Sequence, residues 1–465
     1  MSFGESFFLF AFMPITIIVY LLVDKLIHRD AVSNALLVLF SLAFYCWNGK
    51  ETFWTFIQIV LMTYMAGYMA LKKVSFPVIC LTGVLFFYKY ASFLAIELNK
   101  WMGKEFITLG TILTPLGISF VVFNGISYVV DIYRGDARPG SLLDCFTYLA
   151  FFPKLVSGPI VLWKDFYPQL KDHKASFEQV EYGIDRIIIG YAKKAIIADT
   201  FGSQISLITS RMAAGGVDIP SVWLRSLLYF FQLYFDFAGY SDIAIGLCSI
   251  FGFSIKENFN YPYLSKSISE FWRRWHISLG TWFREYIYIP LGGNRKGNVY
   301  LNLAIVFILT GIWHGTGLQF IVWGGVQAVC VMIERAIRNR KLYQKIPVAV
   351  KWFFSTAITF FSWILFMAKD LPSAIDNYKK LFIPMTSDTL NFTWQYYLSG
   401  RIVVFLFIAV LGCATGTAII KKRIDTLLHT VPGITVKRIS LILLFAVDIL
   451  FVVNSTFSPF LYFQF

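Results

Sequence analysis

Two histidines stand where an imidazole is costly to keep. His276 sits in Glu270-Phe-Trp-Arg-Arg-Trp-His-Ile-Ser-Leu-Gly280, and His314 in Thr310-Gly-Ile-Trp-His-Gly-Thr316. An imidazole titrates near neutrality, so it takes or gives a proton where most side chains do not. Its polar ring is expensive in an apolar run and is seldom placed there without a use. The chain has five histidines, so two of the five fall in these stretches. The plainer reading is a structural histidine that bonds a neighbouring helix. An ionisable group in apolar surroundings favours proton chemistry, and His314 and His276 are the candidate catalytic residues.

The elements that must position them can be read from the flanks. Residues 298–333 contain no Asp, Glu, Lys or Arg. One straight helix of that length would run ~54 Å, against a hydrocarbon core of about 30 Å. The segment therefore divides into two helices, and the cluster Gly311, Gly315 and Gly317 is where the break is expected. His314 lies in that cluster, on backbone expected to be irregular. Such backbone is tolerated in a membrane when buried in protein or lining a cavity.

Around His276, residues 271–286 fit one helix at about 100° per residue. Phe271, Trp272, Trp275, Leu279, Trp282, Phe283 and Tyr286 share one face; Arg273, Arg274, Thr281, Arg284 and Glu285 take the other. The pattern predicts a helix lying in the membrane interface, its arginines meeting lipid headgroups or an anionic phosphate. Residues 222–253 carry Asp236 and Asp242 inside an apolar run. Each needs an Arg, a His, backbone N–H groups or water. Orientation of a catalytic imidazole and a structural ion pair between helices are equally open. Residues 151–160 hold two prolines, a glycine and Lys154. A kinked or dip-in segment is expected there, with Lys154 snorkelling to the interface.

Composition sets the class. Hydrophobic residues make up 57% of the 465 and charged residues 15%, so the chain is an all-α polytopic membrane protein. Apolar runs at about 7–23, 35–47, 53–71, 77–97, 106–130, 142–163, 183–209, 222–253, 299–333, 352–368, 402–420 and 439–457 predict ten to twelve crossings with re-entrant segments. They form a single integral-membrane domain over 1–465. The N-terminus lacks the flanks of a cleaved signal peptide. A net charge of +14 does not point to nucleic acid, because the basic residues are spread over short loops. The six cysteines form no CxxC pair, so neither a metal site nor a disulfide framework is expected. Placing every basic cluster, including residues 421–438, in the cytoplasm leaves both termini outside.

Taken in order, these stretches resemble the membrane-bound O-acyltransferases, specifically the bacterial alginate O-acetyltransferase type. The resemblance rests on Pro115-Leu-Gly-Ile-Ser-Phe120, Ser127-Tyr-Val-Val-Asp-Ile-Tyr133, 151–159, Tyr234–Asp242, 271–295 and Trp313-His-Gly315. It also rests on the ending Ser458-Pro-Phe-Leu-Tyr-Phe-Gln-Phe465. It is close over a core of about 115–330 and looser elsewhere. It implies a curved ring of helices around a central tunnel. It makes His314 the family's essential histidine and His276 its second active-site position. Asp236, Asp242, Trp313, Arg273, Arg274 and Trp275 are candidate supporting residues. The implied reaction passes an acetyl group from a cytoplasmic thioester donor, acetyl-CoA or an acyl carrier, to an exported or envelope polysaccharide. No bound cofactor is expected, and a separate exported acetyltransferase is the implied partner. The implied location is the bacterial inner membrane. Gly280, Glu285 and Gln327 depart from common residues of the family. D-alanyl transfer to teichoic acid is the alternative within the family, and a transporter or flippase the alternative outside it. The latter would favour inverted repeats, which are not evident.

Overall fold

The computed structural model describes residues 3–213, 216–384, 393–417, 426 and 430–454, and among these every regular element is helical. Among the described residues, five helical stretches are long and apolar enough to cross a bilayer: Phe8–Ile27, Asp30–Ala70, Ser75–Met102, Leu318–Ile337 and Val348–Met367. Val299–His314 and Gly400–Ala414 are apolar but shorter. The chain forms two compact units. One comprises Met1–Ile187, Ile243–Lys256 and Thr281–Tyr286; the other Ile188–Asp242, Glu257–Gly280 and Ile287–Phe465.

In the first unit, α1 (Met13–Ile27), α2 (Asp30–Gly49), α3 (Phe53–Ala70) and α4 (Ser75–Met102) follow one another through short turns. The expected crossing at 106–130 starts later, as α5 (Ile118–Arg134), because residues 103–117 are not helical. Gly117 before it has φ 65°, and a Cβ there would press on the Leu155 carbonyl oxygen. The run at 142–163 is broken, as its prolines require, into α6 (Leu142–Ala150) and the single turn α7 (Phe152–Leu155). Ser141 and Asp144 cap α6 reciprocally. A buried carboxylate ties this unit together. Asp131 accepts from the Tyr286 hydroxyl at 2.7 Å, the Lys164 backbone N–H at 2.9 Å and the Ser127 hydroxyl at 3.2 Å.

Lys154 does not snorkel. Its side chain is buried, with Nζ 4.2 Å from the centre of the Tyr148 ring. An ammonium held over an aromatic face exchanges water for the ring quadrupole. The irregular backbone of 156–162 keeps it inside.

The second unit holds both candidate histidines. Val299–His314 (α8) begins at Asn298, whose side chain accepts from the N–H groups of Tyr300 and Leu301. It ends at His314, and α9 (Leu318–Ile337) returns after three residues. The predicted break is there, yet glycine serves it differently than expected. Gly311 is inside the helix. A Cβ on it would strike the Phe320 carbonyl oxygen, and one on Gly324 the Phe307 carbonyl oxygen. The two glycine Cα atoms face each other, so the helices touch backbone to backbone. Gly315 is extended, a conformation open to any residue, and is small because the Phe320 ring fills the space of its side chain. Val348–Met367 (α10) packs against this hairpin through Trp363 and Phe366.

Candidate active site

The site starts from the end of α8. His314 is its last residue, 7% exposed, and three rings box it in. Ring centres lie at 4.9 Å for Trp313, 5.2 Å for Trp323 on α9 and 4.9 Å for Phe366 on α10, all edge-on. The helix's unsatisfied carbonyls gather at this end, and their dipoles favour positive charge nearby. A positive charge at this end of the helix would lie in a favourable field.

The Trp313 ring centre is also 6.1 Å from that of His276. Trp313 thus neighbours both predicted histidines. The single interfacial helix over 271–286 is not formed. Instead Ile268–Arg274 ends, the backbone turns, and Ile277–Phe283 begins anew. His276 occupies the turn with φ 44°, a left-handed conformation. Ser267 caps the first short helix by accepting from the Glu270 N–H. The turn is held by a neighbouring segment, which pairs with it through backbone bonds. The Asn260 N–H donates to the Arg274 carbonyl and the Ile277 N–H to the Asn258 carbonyl, each at 2.9 Å.

That pairing sets the Asn258 side chain against the histidine. Asn258 Oδ1 is 3.1 Å from His276 Nδ1, and it accepts from the Ser278 hydroxyl at 2.8 Å and the Ser278 backbone N–H at 3.2 Å. Asn258 Nδ2 donates to Ser241 Oγ at 3.1 Å. Asn258 is fully enclosed, and the ring centres of Phe237 and His276 lie 4.7 Å apart with the rings nearly perpendicular. Burial pushes the His276 imidazole well below its ordinary range, so it is neutral at physiological pH.

Asp236 and Asp242 are paired by lysines. Lys194 Nζ is 2.7 Å from Asp236 and 2.7 Å from Asp199; Lys193 Nζ is 2.5 Å from Asp242. Both lysines lie on a π-helical turn, Ala192–Ala198, where the helix is locally widened. The ion-pair reading therefore holds for both carboxylates, through a residue type that the sequence reading did not consider. The signal was present as two adjacent lysines within the apolar run 183–209. Arg274 is bound to Glu270, with an N···O distance of 2.8 Å, and donates to the Asn260 carbonyl at 3.1 Å. It holds the turn, while Arg273 is exposed. Trp275 is buried 4.9 Å from Trp363 and belongs to the aromatic packing under the site. Asn258, Ser278 and Ser241 were missed. A lone Asn in Asn258-Phe-Asn carries no periodicity or spacing that marks it.

A chain whose described residues form only helices, several of them of bilayer length and apolar, and which buries two histidines next to one tryptophan, is by class a multi-pass membrane protein. Residues 130–370 match the model of the membrane-bound O-acyltransferase family. The chain is 35% identical, over the full length of both proteins, to a probable alginate O-acetylase, AlgI, of Pseudomonas putida. It is 30% identical to the peptidoglycan O-acetyltransferase of Helicobacter pylori, over all of this chain and 97% of that one. A teichoic acid D-alanyltransferase of Bacillus subtilis is 31% identical over 50% of this chain and 62% of its own length. The chain belongs to the membrane-bound O-acyltransferase family and is an O-acyltransferase.

Proposed function

We propose that this chain moves an acetyl group from a cytoplasmic thioester, acetyl-CoA, across the membrane for O-acetylation of an envelope or exported polysaccharide. Relatives that match from end to end are named for O-acetylation, whereas two D-alanyl relatives match 62% and 50% of the chain. The observation that carries the reading is His314, a buried imidazole at the carbonyl end of an uncharged helix, enclosed by Trp313, Trp323 and Phe366.

In the reaction, an acceptor hydroxyl oxygen attacks the thioester carbonyl carbon. His314 takes the hydroxyl proton as the C–O bond forms. The C–S bond then breaks, and the thiolate leaves with that proton as the free thiol. His276, which also neighbours Trp313, holds the reactants beside the base. The aromatic enclosure excludes water, which would otherwise hydrolyse the thioester. Ser278 lies beside His276, but its hydroxyl is engaged in donating to Asn258 Oδ1, and no cysteine adjoins either histidine in the chain, so direct transfer is the economical course. An exported acetyltransferase then finishes delivery to the polymer. The protein sits in the bacterial inner membrane with both termini extracytoplasmic, as the distribution of basic loops favours.

His314→Ala should abolish polymer acetylation while the protein inserts at its normal level. Base-released acetate from the purified polymer and an immunoblot of membranes measure the two. Near-normal acetate in that variant would remove His314 from the base role. Incorporation of labelled D-alanine in place of acetate would move the reading to teichoic acid.

A further inference from the structure

Asn258 offers His276 an oxygen and fixes which face of its own amide does so. The Ser278 backbone N–H can only donate, and it points at Oδ1 from 3.2 Å. Turning the amide over would set an NH2 group against that N–H. The Ser278 hydroxyl oxygen is 2.8 Å from Oδ1 and 3.4 Å from His276 Nδ1, and its one proton goes along the shorter contact, to Oδ1, while Nδ2 donates in turn to Ser241. An oxygen so placed can only accept from His276 Nδ1, 3.1 Å away. In the neutral ring one nitrogen carries the proton and the other a lone pair.

Resting on the reading of the site proposed above, we infer that Asn258 is a positioning residue. It locks His276 as the Nδ1–H tautomer and leaves Nε2 as a lone-pair acceptor. This decides what His276 does. A bare Nε2 cannot polarise a carbonyl by donating to it. It aligns a hydroxyl by accepting that hydroxyl's hydrogen bond. His276 therefore orients the acceptor alcohol toward the thioester, and His314 remains the base. The backbone bonds between 258–260 and 274–277 make the arrangement rigid, and the burial of Asn258 keeps water from replacing it.

The test uses the full-length protein, with 15N-labelled histidine, in lipid bilayers. With five histidines in the chain, His276→Gln identifies the signal by its loss. A protonated Nδ1 and a bare Nε2 in the otherwise unaltered protein support the proposal, whether or not the acetylation reading holds. A protonated Nε2 overturns it. Activity supplies the second arm. Asn258→Leu removes the acceptor at similar volume. It should lower polymer acetylation about 10- to 100-fold at matched protein level, by analogy with the loss seen when a metal-ligating histidine is deprived of the outer partner that sets its tautomer. Asn258→Asp keeps an acceptor oxygen in place and should stay within about threefold of the original, since the proton on Nδ1 is still held. Loss in Leu with rescue in Asp supports the positioning role; equal activity in both variants, high or low, overturns it. Should the Leu variant fail to accumulate, the tautomer measured in the unaltered chain decides alone. Failure of the acetylation reading shows separately, as an unchanged polymer in His314→Ala.

Discussion

At the scale of single residues, the acids and lysines of the second unit behave differently from the histidines. Asp236 is 2% exposed and holds Lys194 together with Asp199. Asp236→Asn should destabilise the protein by about 3 kcal/mol, the lower end for breaking a buried ion pair, since Asp199 stays beside the lysine. Glu285 is paired with Lys164 at 3.4 Å in a half-buried setting. Glu285→Gln should cost less than about 1 kcal/mol. Thermal unfolding in detergent, alongside polymer acetate, distinguishes the pair; equal mild losses would mean that Asp236 is not a required partner. The histidines were legible because an imidazole in an uncharged run is conspicuous by type. The lysine partners were not, because membership of an apolar run says nothing about which carboxylate a cation will reach through space. Asn258 was invisible for the same reason, as its role depends on two backbone bonds to a segment some fifteen residues away in the chain.

At the scale of elements, the uncharged length of 298–333 forecast two helices and the place of the break, since neither length nor composition admits one straight helix. The interfacial helix at 271–286 was forecast wrongly. Its aromatic residues repeat at helical spacing on both sides of the turn, so periodicity carries no mark of the break at His276. The α8–α9 hairpin makes a sharp forecast of its own. Gly311→Ala and Gly324→Ala each place a methyl group against a backbone carbonyl, which cannot move aside as a side chain can. Each should cost on the order of 1–3 kcal/mol and displace His314 enough to cut acetylation. Gly83, within α4, has nothing within 4 Å of an added Cβ. Gly83→Ala should therefore be neutral or stabilising by about 0.5–1 kcal/mol through helix propensity. Unfolding midpoints of the three variants check this, and a Gly311→Ala protein as stable as Gly83→Ala would contradict the close contact.

At the scale of the whole molecule, the all-helical membrane class was plain from composition, because a bilayer admits few backbones. Where individual crossings start and stop was less plain, as the late start of α5 after Gly117 illustrates. Sidedness can be tested at Thr430, which is exposed just ahead of the Val431–Asn454 helix. The basic cluster 421–438 argues that this end is cytoplasmic. With the exposed Cys46 and the half-buried Cys80 and Cys330 replaced first, Thr430→Cys should react with a membrane-impermeant thiol reagent only after lysis. Labelling in intact cells would reverse the orientation and the direction of transfer. A cysteine added after Phe465 should react from outside, although the ending 455–465, with the family-like Ser458–Phe465, lies outside the described residues.

The left-handed turn at His276 has a consequence for how this protein can be varied. Only glycine enters that conformation freely, with asparagine next; other side chains are strained there by roughly 1–2 kcal/mol. A library randomised at position 276 and sorted for membrane accumulation alone should therefore return Asn and Gly readily. The same library sorted for polymer acetate should return His. The distance between the two outcomes measures what catalysis withholds from stability at this one position. Homologous chains that have lost the activity should drift toward Asn or Gly there before any neighbouring residue changes.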